Sequence, residues 1–302
     1  MACGLAVAQL YHKPNAAYTA AERGVRPNKE AGVKMVTDDS IRARDIPLAV
    51  REAAEQQIKH YTVGFVSVKD PNEPEIRGSG TLIKLGSVRA ILTAEHVVRD
   101  LQKHEELGLV ISEKEQRPIF SSMEFHFLPI ARGNVDSDGP DIAIVFLSSN
   151  VASTLEAQKS FLNLDTDLSL IRNSPPTYDR GFGYTAGYRG VFHQDQGKCR
   201  GFTLQIGFGQ IKASSQETDE YDYLDFPVSF KVYTGNNNFG GLSGGGVWHV
   251  LFELDNEPRI TKMLLSGVIY YQTEPDQTSC RLICHGRKSI YKTVYNVLQD
   301  RA

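Results

Sequence analysis

Cysteine is scarce in this sequence: only Cys3, Cys199, Cys280 and Cys284 occur among 302 residues. Four cysteines at these spacings are too few for a disulfide framework, and they form no paired Cys-x-x-Cys pattern of a zinc site. Cys280 and Cys284 can pair only if the backbone brings them together. A reducing cytosol is therefore the simpler interpretation of all four thiols.

A strong charge of either sign is also missing. The formal net charge is -3 and the pI is near 6.3, which argues against a nucleic-acid-binding protein that relies on a broadly basic surface. The apolar stretch within residues 1–14 has no basic segment before it and is too short to span a bilayer. We therefore expect no signal peptide and no membrane anchor, and a cytoplasmic location.

The composition is otherwise that of a globular protein, with 41% apolar and 23% charged residues. Ten short segments rich in β-branched and aromatic residues predict strands. They are Tyr61–Val68, Thr81–Leu85, Arg89–Thr93, Met123–Leu128, Ile142–Leu147, Arg180–Tyr188, Phe202–Ala213, Val228–Tyr233, Gly246–Phe252 and Lys262–Tyr271. Glycine-rich turns and few long helical patterns predict an all-β sandwich or barrel.

Helical periodicity is confined to three places. Pro47 stands near the start of a short helix, and Leu155–Leu164 is predicted to be a helical connector between two halves. A C-terminal amphipathic helix is predicted by four apolar residues on one helical face, Ile290, Val294, Val297 and Leu298. Two segments are expected to be irregular: an extension over residues 1–46, and an acidic, solvated loop over residues 216–225.

A serine between glycines, Ser243 within Gly241–Gly246, is the candidate nucleophile. A serine needs a base to take its proton, and two backbone N–H groups must face the oxyanion that develops. Glycines on both sides permit the tight, partly left-handed backbone that this requires. Taken alone, a glycine-rich turn without catalysis explains the segment equally well.

His96 and Asp141 are the candidates for the other two roles. His96 follows an apolar strand that ends in Thr-Ala, near the Gly78–Gly80 segment, and a histidine there can project into a cleft. Asp141 directly precedes a strand, where it can accept a hydrogen bond. Taken singly, a structural histidine and a turn aspartate are the more common interpretations. The seven histidines without such framing are His12, His60, His104, His126, His193, His249 and His285.

The three segments together resemble those of chymotrypsin-like serine peptidases. The sequence Leu-Thr-Ala-Glu-His-Val at 92–97 is similar to the family's Thr-Ala-Ala-His segment, with Glu95 in place of the second alanine. Asp-Ile-Ala-Ile-Val at 141–145 resembles Asp-Ile-Ala-Leu, and Gly-Leu-Ser-Gly-Gly at 241–245 resembles Gly-Asp-Ser-Gly-Gly. The order His, Asp, Ser along the chain is also that of chymotrypsin.

Two further segments support the resemblance, which covers roughly residues 55–298. Residues 267–271 resemble the strand that borders the substrate cleft, and residues 183–188 a strand of bacterial trypsin-like domains. The resemblance implies two antiparallel, six-stranded β-barrels packed together, with the active site in the cleft between them. Within a peptidase domain over 47–302, the barrels are then 47–150 and 165–285, and the C-terminal helix is 287–300.

The resemblance also implies the roles of the residues. Ser243 attacks the scissile carbonyl, His96 removes its proton, and Asp141 orients the imidazole and stabilises its charged form. The backbone N–H groups of Gly241 and Ser243 form the oxyanion hole. The expected activity is that of a serine endopeptidase acting on protein or peptide substrates, with no metal and no organic cofactor.

This sequence departs from the secreted trypsins in two respects. Leu242 stands where they carry an aspartate that pairs with a freshly cut N-terminus, so we expect no activation of that kind. In its scarcity of cysteine, this sequence is more similar to intracellular, bacterial members of the family. The irregular leader is then free to regulate access or to dock a regulatory protein partner.

The specificity pocket is less clearly defined. Asn237 lies about where the family places its pocket-base residue, although Asn236–Asn238 is equally explained as a turn. Tyr270, Tyr271 and Gln272 are expected to form one wall. A neutral pocket base cannot compensate a buried ammonium or guanidinium, which favours an uncharged P1 residue. The acidic segment 216–225, if it covers the cleft, would instead attract basic substrates.

Two other functions fit parts of the pattern. A protease fold without catalysis can serve as a binding module, because folds host unrelated functions. An esterase is the other, since Gly241–Gly245 overlaps its Gly-x-Ser-x-Gly elbow. That elbow lies between a strand and a helix and has another order of triad residues, whereas a strand is predicted directly after Ser243.

Overall fold

The computed structural model describes residues 46–67, 74–112, 117–133, 139–192, 200–229, 239–253 and 257–302. The predicted extension over residues 1–46 therefore lies outside the described residues except for Ile46, and so does Asn237 with its neighbours. Within the described part, most regular structure is strand. The strands form two sheets, one from each half of the chain.

The first sheet contains eight strands among the described residues. They are β1 (Thr62–Ser67), β2 (Glu75–Leu85), β3 (Val88–Thr93), β4 (Glu106–Val110), β5 (Ile119–Ser121), β6 (Phe125–Ala131), β7 (Ile142–Leu147) and β8 (Leu162–Asn163). The order is β5-β4-β1-β2-β3-β7-β6, with all of these neighbours antiparallel, and β8 adds to β2 as a short parallel strand.

The second sheet contains seven strands in the described part of the chain. They are β9 (Phe182–Phe192), β10 (Arg200–Gly209), β11 (Lys212–Glu217), β12 (Asp222–Ser229), β13 (Gly246–Glu253), β14 (Arg259–Gln272) and β15 (Ser279–His285). They are antiparallel throughout, in the order β10-β9-β13-β14-β15-β12-β11.

The all-β class, the two mainly antiparallel sheets and the C-terminal helix are confirmed. The first sheet has six longer strands, to which the three-residue β5 and the two-residue β8 are added. The second has seven strands rather than six. The sequence did not predict β4, β5 or β15; β4 and β5 are short, and in β15 charged and polar residues interrupt the apolar pattern. The predicted strand Val228–Tyr233 overlaps only the end of β12, and residues 230–233 lie outside the described residues.

Five α-helices flank the sheets in the described residues: α1 (Leu48–Tyr61), α2 (Glu95–Leu101), α3 (Ser149–Glu156), α4 (Asp165–Asn173) and α5 (Tyr295–Gln299). Helix α1 begins after Pro47, as predicted. The expectation of a helix over Leu155–Leu164 is wrong. The Ser148 hydroxyl caps α3 seven residues earlier in the chain, by accepting from the Val151 N–H.

The end of the chain is helical over the predicted region, but its first turn is a π-helix, Ser289–Val294, which continues directly into α5. The expected acidic loop is mostly strand, because β11 runs to Glu217 and β12 begins at Asp222. Glu217 forms an ion pair with Lys288, and Asp225 forms one with Arg281 at 2.9 Å. Because these cations compensate their charge, acidic side chains are accommodated on the edge strand β11 and on its neighbour β12.

One hydrophobic cluster joins the two sheets. It includes Leu92 and Ile144 from the first sheet, and Trp248 and Leu265 from the second, all fully buried. Ring stacking between Tyr61 at the end of α1 and Trp248, with centroids 5.3 Å apart, extends the same cluster. The sheets therefore share a packed core, which fixes the position of loops from one sheet against loops from the other.

Candidate active site

His96 and Asp141 are neighbours because of strand pairing. Strands β3 and β7 are antiparallel, and Thr93 lies opposite Ala143. The residues just after β3 and just before β7 therefore meet at the same edge of the sheet. His96 lies in the first turn of α2, directly after β3, and Asp141 immediately precedes β7.

The two side chains form a close hydrogen bond, with Nδ1 of His96 2.6 Å from Oδ2 of Asp141. The other carboxylate oxygen, Oδ1, accepts from the backbone N–H of His96 at 3.0 Å. Burial raises the pKa of Asp141, but the hydrogen bonds and charge of His96 outweigh burial and hold that pKa below its ordinary value. An ionised Asp141 keeps the proton of His96 on Nδ1, which leaves Nε2 as an acceptor.

The replacement of alanine by Glu95 leaves this pair intact. The Glu95 side chain is 1% exposed and is directed to arginines, with Oε1 3.3 Å from Nε of Arg132 and Oε2 3.8 Å from Nη2 of Arg99. Its carboxylate is therefore compensated by charge from α2 and from the end of β6. This departure from the family segment does not disturb His96.

Ser243 lies in a tight turn that only glycine permits at two positions. Gly241 has φ +97° and Gly244 has φ +83°, in the left-handed region that other residues rarely adopt. A Cβ atom at Gly244 would lie 2.0 Å from Oγ1 of Thr93 and 2.1 Å from the carbonyl oxygen of Ser79. The glycines therefore bring the turn against the first sheet, and β13 follows it at Gly246.

Two backbone N–H groups of the turn make no hydrogen bond with any described residue, those of Gly241 and Ser243. The N–H groups of Leu242, Gly244 and Gly245 are occupied, by the carbonyls of Phe239, Ile269 and Leu242 respectively. The two unoccupied donors are the pair that the sequence predicted for the oxyanion hole. Backbone N–H groups without a partner are available to donate to a developing oxyanion.

Ser79, in β2, holds the serine turn against the first sheet. Its N–H donates to the carbonyl of Ser243 at 2.7 Å, and its hydroxyl donates to the carbonyl of Gly241 at 2.6 Å. The same hydroxyl accepts from the N–H of Tyr188 in β9 at 2.7 Å. The buried Ser79 thus connects β2 with β9 of the second sheet and with the carbonyls of Gly241 and Ser243 in the serine turn.

Gly78 shows how close the turn comes to α2. A Cβ atom there would lie 2.6 Å from both methyl groups of Val97 and 3.1 Å from the carbonyl oxygen of Ser243. Since Val97 is the residue after His96, the backbone segments that carry His96 and Ser243 both approach the same glycine of β2. Among the described residues, hydrogen bonds join His96 to Asp141, and none joins the His96 ring to the Ser243 hydroxyl.

Leu242 fixes the turn from its other side. The side chain is 1% exposed and belongs to a cluster with Phe239, Val247 and Ile269. A Cβ atom on Gly187 would lie 3.1 Å from the Leu242 Cα. Leu242 is therefore an apolar anchor of the turn.

His285 contributes a contact that the sequence did not reveal. The backbone N–H of Asp141 donates to Nε2 of His285 at 2.9 Å. The histidine is fully buried, and its ring packs against those of Tyr223 and Tyr270, with centroids 5.2 and 4.8 Å away. Burial lowers the pKa of His285 to about 4, so the ring is neutral near pH 7 and Nε2 is an acceptor. No local pattern in the sequence marked this contact, because β15, which ends at His285, was not predicted.

The predicted substrate wall is partly wrong. Tyr270 is 7% exposed and packs on His285 behind Asp141, rather than on a solvent-facing wall. The cause is a register shift in β14 between Ile269 and Tyr271, which changes the face on which a side chain lies. Tyr271 and Gln272 remain partly exposed, and Oε1 of Gln272 accepts from the N–H of Phe239 at 3.0 Å. Asn237 lies outside the described residues.

Comparison with known proteins adds little to this geometry. No protein-family model matches the sequence, and no curated protein matches it. Among solved structures, human heparin binding protein is similar, with a TM-score of 0.47 and 14% sequence identity over 81% of this chain and 93% of that chain. A likeness of this degree does not determine activity or ligands.

Proposed function

We propose that this protein is a serine endopeptidase, with Ser243 as nucleophile, His96 as general base and Asp141 as the group that orients the base. The observation that carries the proposal is the hydrogen bond of 2.6 Å between Nδ1 of His96 and Oδ2 of Asp141. It supports a histidine in the tautomer that accepts a proton on Nε2. The unoccupied N–H groups of Gly241 and Ser243 support an oxyanion hole at the same turn.

In this mechanism Oγ of Ser243 attacks the carbonyl carbon of the scissile bond while Nε2 of His96 takes the hydroxyl proton. The resulting oxyanion is stabilised by the N–H groups of Gly241 and Ser243. His96 then protonates the leaving amine, which leaves an acyl-enzyme that water hydrolyses by the reverse roles. Asp141 stays ionised and stabilises the imidazolium in both steps.

The test is covalent labelling by a fluorophosphonate together with peptide hydrolysis. Wild type and Ser215→Ala, which changes an exposed serine of β11, should label equally. Ser243→Ala should not label and should lose hydrolysis, and Asp141→Asn should lower kcat by about 10⁴-fold through the wrong tautomer. Equal labelling of a folded Ser243→Ala variant would refute the assignment. Absence of labelling in the folded wild type would favour the protease-fold binding module instead.

We further propose that the P1 residue is uncharged. Two carboxylates of the acidic segment 216–225 have ion-pair partners of their own, Glu217 with Lys288 and Asp225 with Arg281, which weakens the attraction of this segment for basic substrates. A positional peptide library should show apolar or small polar P1 residues at both low and high salt. A preference for Arg or Lys that persists at high salt would contradict this proposal, because only a pocket carboxylate acts at that range.

We also propose a cellular location for the protein. Cys280 and Cys284 are buried, unpaired thiols on the same strand, which supports a reducing compartment and a cytoplasmic location like that of intracellular bacterial peptidases.

Residues 1–46 are proposed to regulate access or to dock a partner protein. A chain shortened to begin at Asp45 should keep its activity, whereas activity that requires a specific new N-terminal amine would contradict the proposal. Within the described residues, no helix has the length and apolar character needed to cross a bilayer.

A further inference from the structure

A cavity of about 970 Å³ lies beside the C-terminal helical segment, and none of its lining residues belongs to the candidate triad or to the serine turn. Its walls come from the end of α4, the loop that leads into β9, and the π-helix with α5. Two residues of β11 and β12, Ala213 and Asp222, complete it.

A buried cation lines this cavity. Arg287 is 6% exposed, and its hydrogen bonds all go to neutral acceptors. Nε donates to the Ser266 hydroxyl at 2.9 Å, Nη1 to the carbonyl of Pro176 at 2.6 Å, and Nη2 to Nδ1 of His249 at 2.6 Å. No described carboxylate lies within ion-pair distance of it. A buried arginine is almost always paired with an anion. A bound anion would therefore compensate the buried positive charge of this guanidinium.

Two more cations of the cavity wall have only neutral hydrogen-bond partners among the described residues. Arg172 donates to the carbonyl of Tyr291 at 2.9 Å, and Nζ of Lys292 donates to the carbonyl of Asp219 at 2.6 Å. Lys288 is paired with Glu217. Two carboxylates line the cavity, Asp179 and Asp222, and that of Asp222 accepts from the N–H of Ser289. The wall therefore carries more positive than negative charge.

Apolar and aromatic side chains form much of the rest of the wall, together with the polar residues Thr177, Asp179 and Asn296. The Arg287 guanidinium stacks on the ring of Tyr178, with Cζ of Arg287 4.3 Å from the ring centroid. Pro175 and Pro176 also line the cavity. Tyr291 is 2% exposed, and its hydroxyl has no hydrogen-bond partner in the described structure. Tyr291 and Lys292 lie in the π-helix, a conformation that occurs frequently at functional sites.

We propose that this cavity binds a small organic anion, in which a carboxylate or phosphate is joined to an aromatic or apolar body. The anionic group binds Arg287, with Arg172 and Lys292 adding charge, and the body packs against Tyr178 and the prolines. The size of the cavity suits such a molecule, since ligand sites are mostly apolar pockets with a few placed polar groups. The inference is independent of the proposed peptidase activity.

Binding of three matched probes to the full-length protein tests the proposal by isothermal titration calorimetry. They are 1-naphthoate, 1-naphthyl phosphate and the neutral 1-naphthalenemethanol. We expect at least one anion to bind at least about tenfold more tightly than the neutral probe, and this preference to weaken as salt is raised. If only one anion does so, it identifies the head group.

Three variants locate the binding. Arg172→Met with Lys292→Met should remove most of the preference for the anions, and Ala213→Trp should block all three probes by filling the cavity. The control is Lys103→Met with Arg259→Met, which removes two exposed cations elsewhere and should bind like wild type. The proposal is overturned if the neutral probe binds as tightly as both anions, if neither anion binds, or if the control pair loses as much as the cavity variants. These variants leave the buried Arg287 and its hydrogen bonds in place. We therefore expect them to fold, and a change in binding is then not caused by unfolding.

Discussion

At the residue scale, a buried histidine holds the backbone of the candidate triad. His285 accepts from the N–H of Asp141 although 144 positions separate them. Its Nδ1 carries the ring proton in this tautomer, and that atom has no hydrogen-bond partner among the described residues. The ring of Tyr270 covers one side of it. In the proposed mechanism, His285 is therefore a positioning residue that acts through Asp141.

Replacing His285 separates positioning from packing. His285→Gln keeps an oxygen near the place of Nε2, whereas His285→Leu keeps bulk and removes the acceptor. We expect His285→Leu to lower kcat by about 10- to 100-fold with little change in KM, because a displaced Asp141 weakens orientation of the base. His285→Gln should recover most of that loss. Equal losses in both variants, measured on folded protein, would show that only packing matters.

At the element scale, the contact between β2 and the serine turn decides whether the site is assembled. Ser79 is fully buried and bonded to β9 and to two carbonyls of the turn. Ser79→Ala removes the buried hydroxyl that accepts from the Tyr188 N–H and donates to the Gly241 carbonyl, which costs about 1–3 kcal/mol. The free energy of unfolding in urea should fall by that amount, and kcat should fall as well. Ser67→Ala in β1, also a buried serine, is the control and should keep its kcat.

The serine turn itself is held by apolar packing. Leu242→Asp should destabilise the protein strongly, because it buries a carboxylate among apolar side chains. Leu242→Met, which conserves volume, should cost less than about 1.5 kcal/mol. Thermal unfolding and kcat of both variants check this. If Leu242→Asp is folded and as active as wild type, the aspartate has found a partner, and activation by an N-terminal amine is reopened.

At the scale of the whole molecule, buried neutral histidines make stability depend on pH. Burial lowers the pKa of His249 and of His285 to about 4, while an unfolded histidine has a pKa of about 6.5. Between these values the unfolded chain binds more protons than the folded one. Stability is therefore complete above about pH 6.5 and is lost as the pH falls toward 4.

Each of these histidines should cost about 2–3 kcal/mol at pH 4.5 relative to pH 7. Urea denaturation at the two pH values measures the total change in stability, and the variants isolate the contribution of one histidine. His285→Gln should lower stability at pH 7 yet reduce its loss on acidification by that amount. His126→Gln changes a histidine that is exposed and should leave the loss unchanged. A wild type that is equally stable at both pH values would contradict the assignment of neutral, buried rings.

The sequence by itself determined the all-β class, the helical C-terminus and the three segments that carry His96, Asp141 and Ser243. Alternating β-branched residues, a proline at a helix start and glycines around a serine act over a few positions, so they can be interpreted without knowing what packs against them. The bounds of α3 and the strands of the acidic segment were missed, since a cap and ion pairs with distant residues decided them.

Only the tertiary structure decided the face on which Tyr270 lies, the contact of His285 with Asp141, the bridging role of Ser79 and the buried charge of Arg287. Each depends on strand register or on residues that are distant in the chain and brought together by the shared core. A one-residue shift in β14 changes which side chains face the core, and no local pattern in the sequence marks such a shift. Packing between the sheets, which depends on the whole set of side chains, therefore fixed the details of the site.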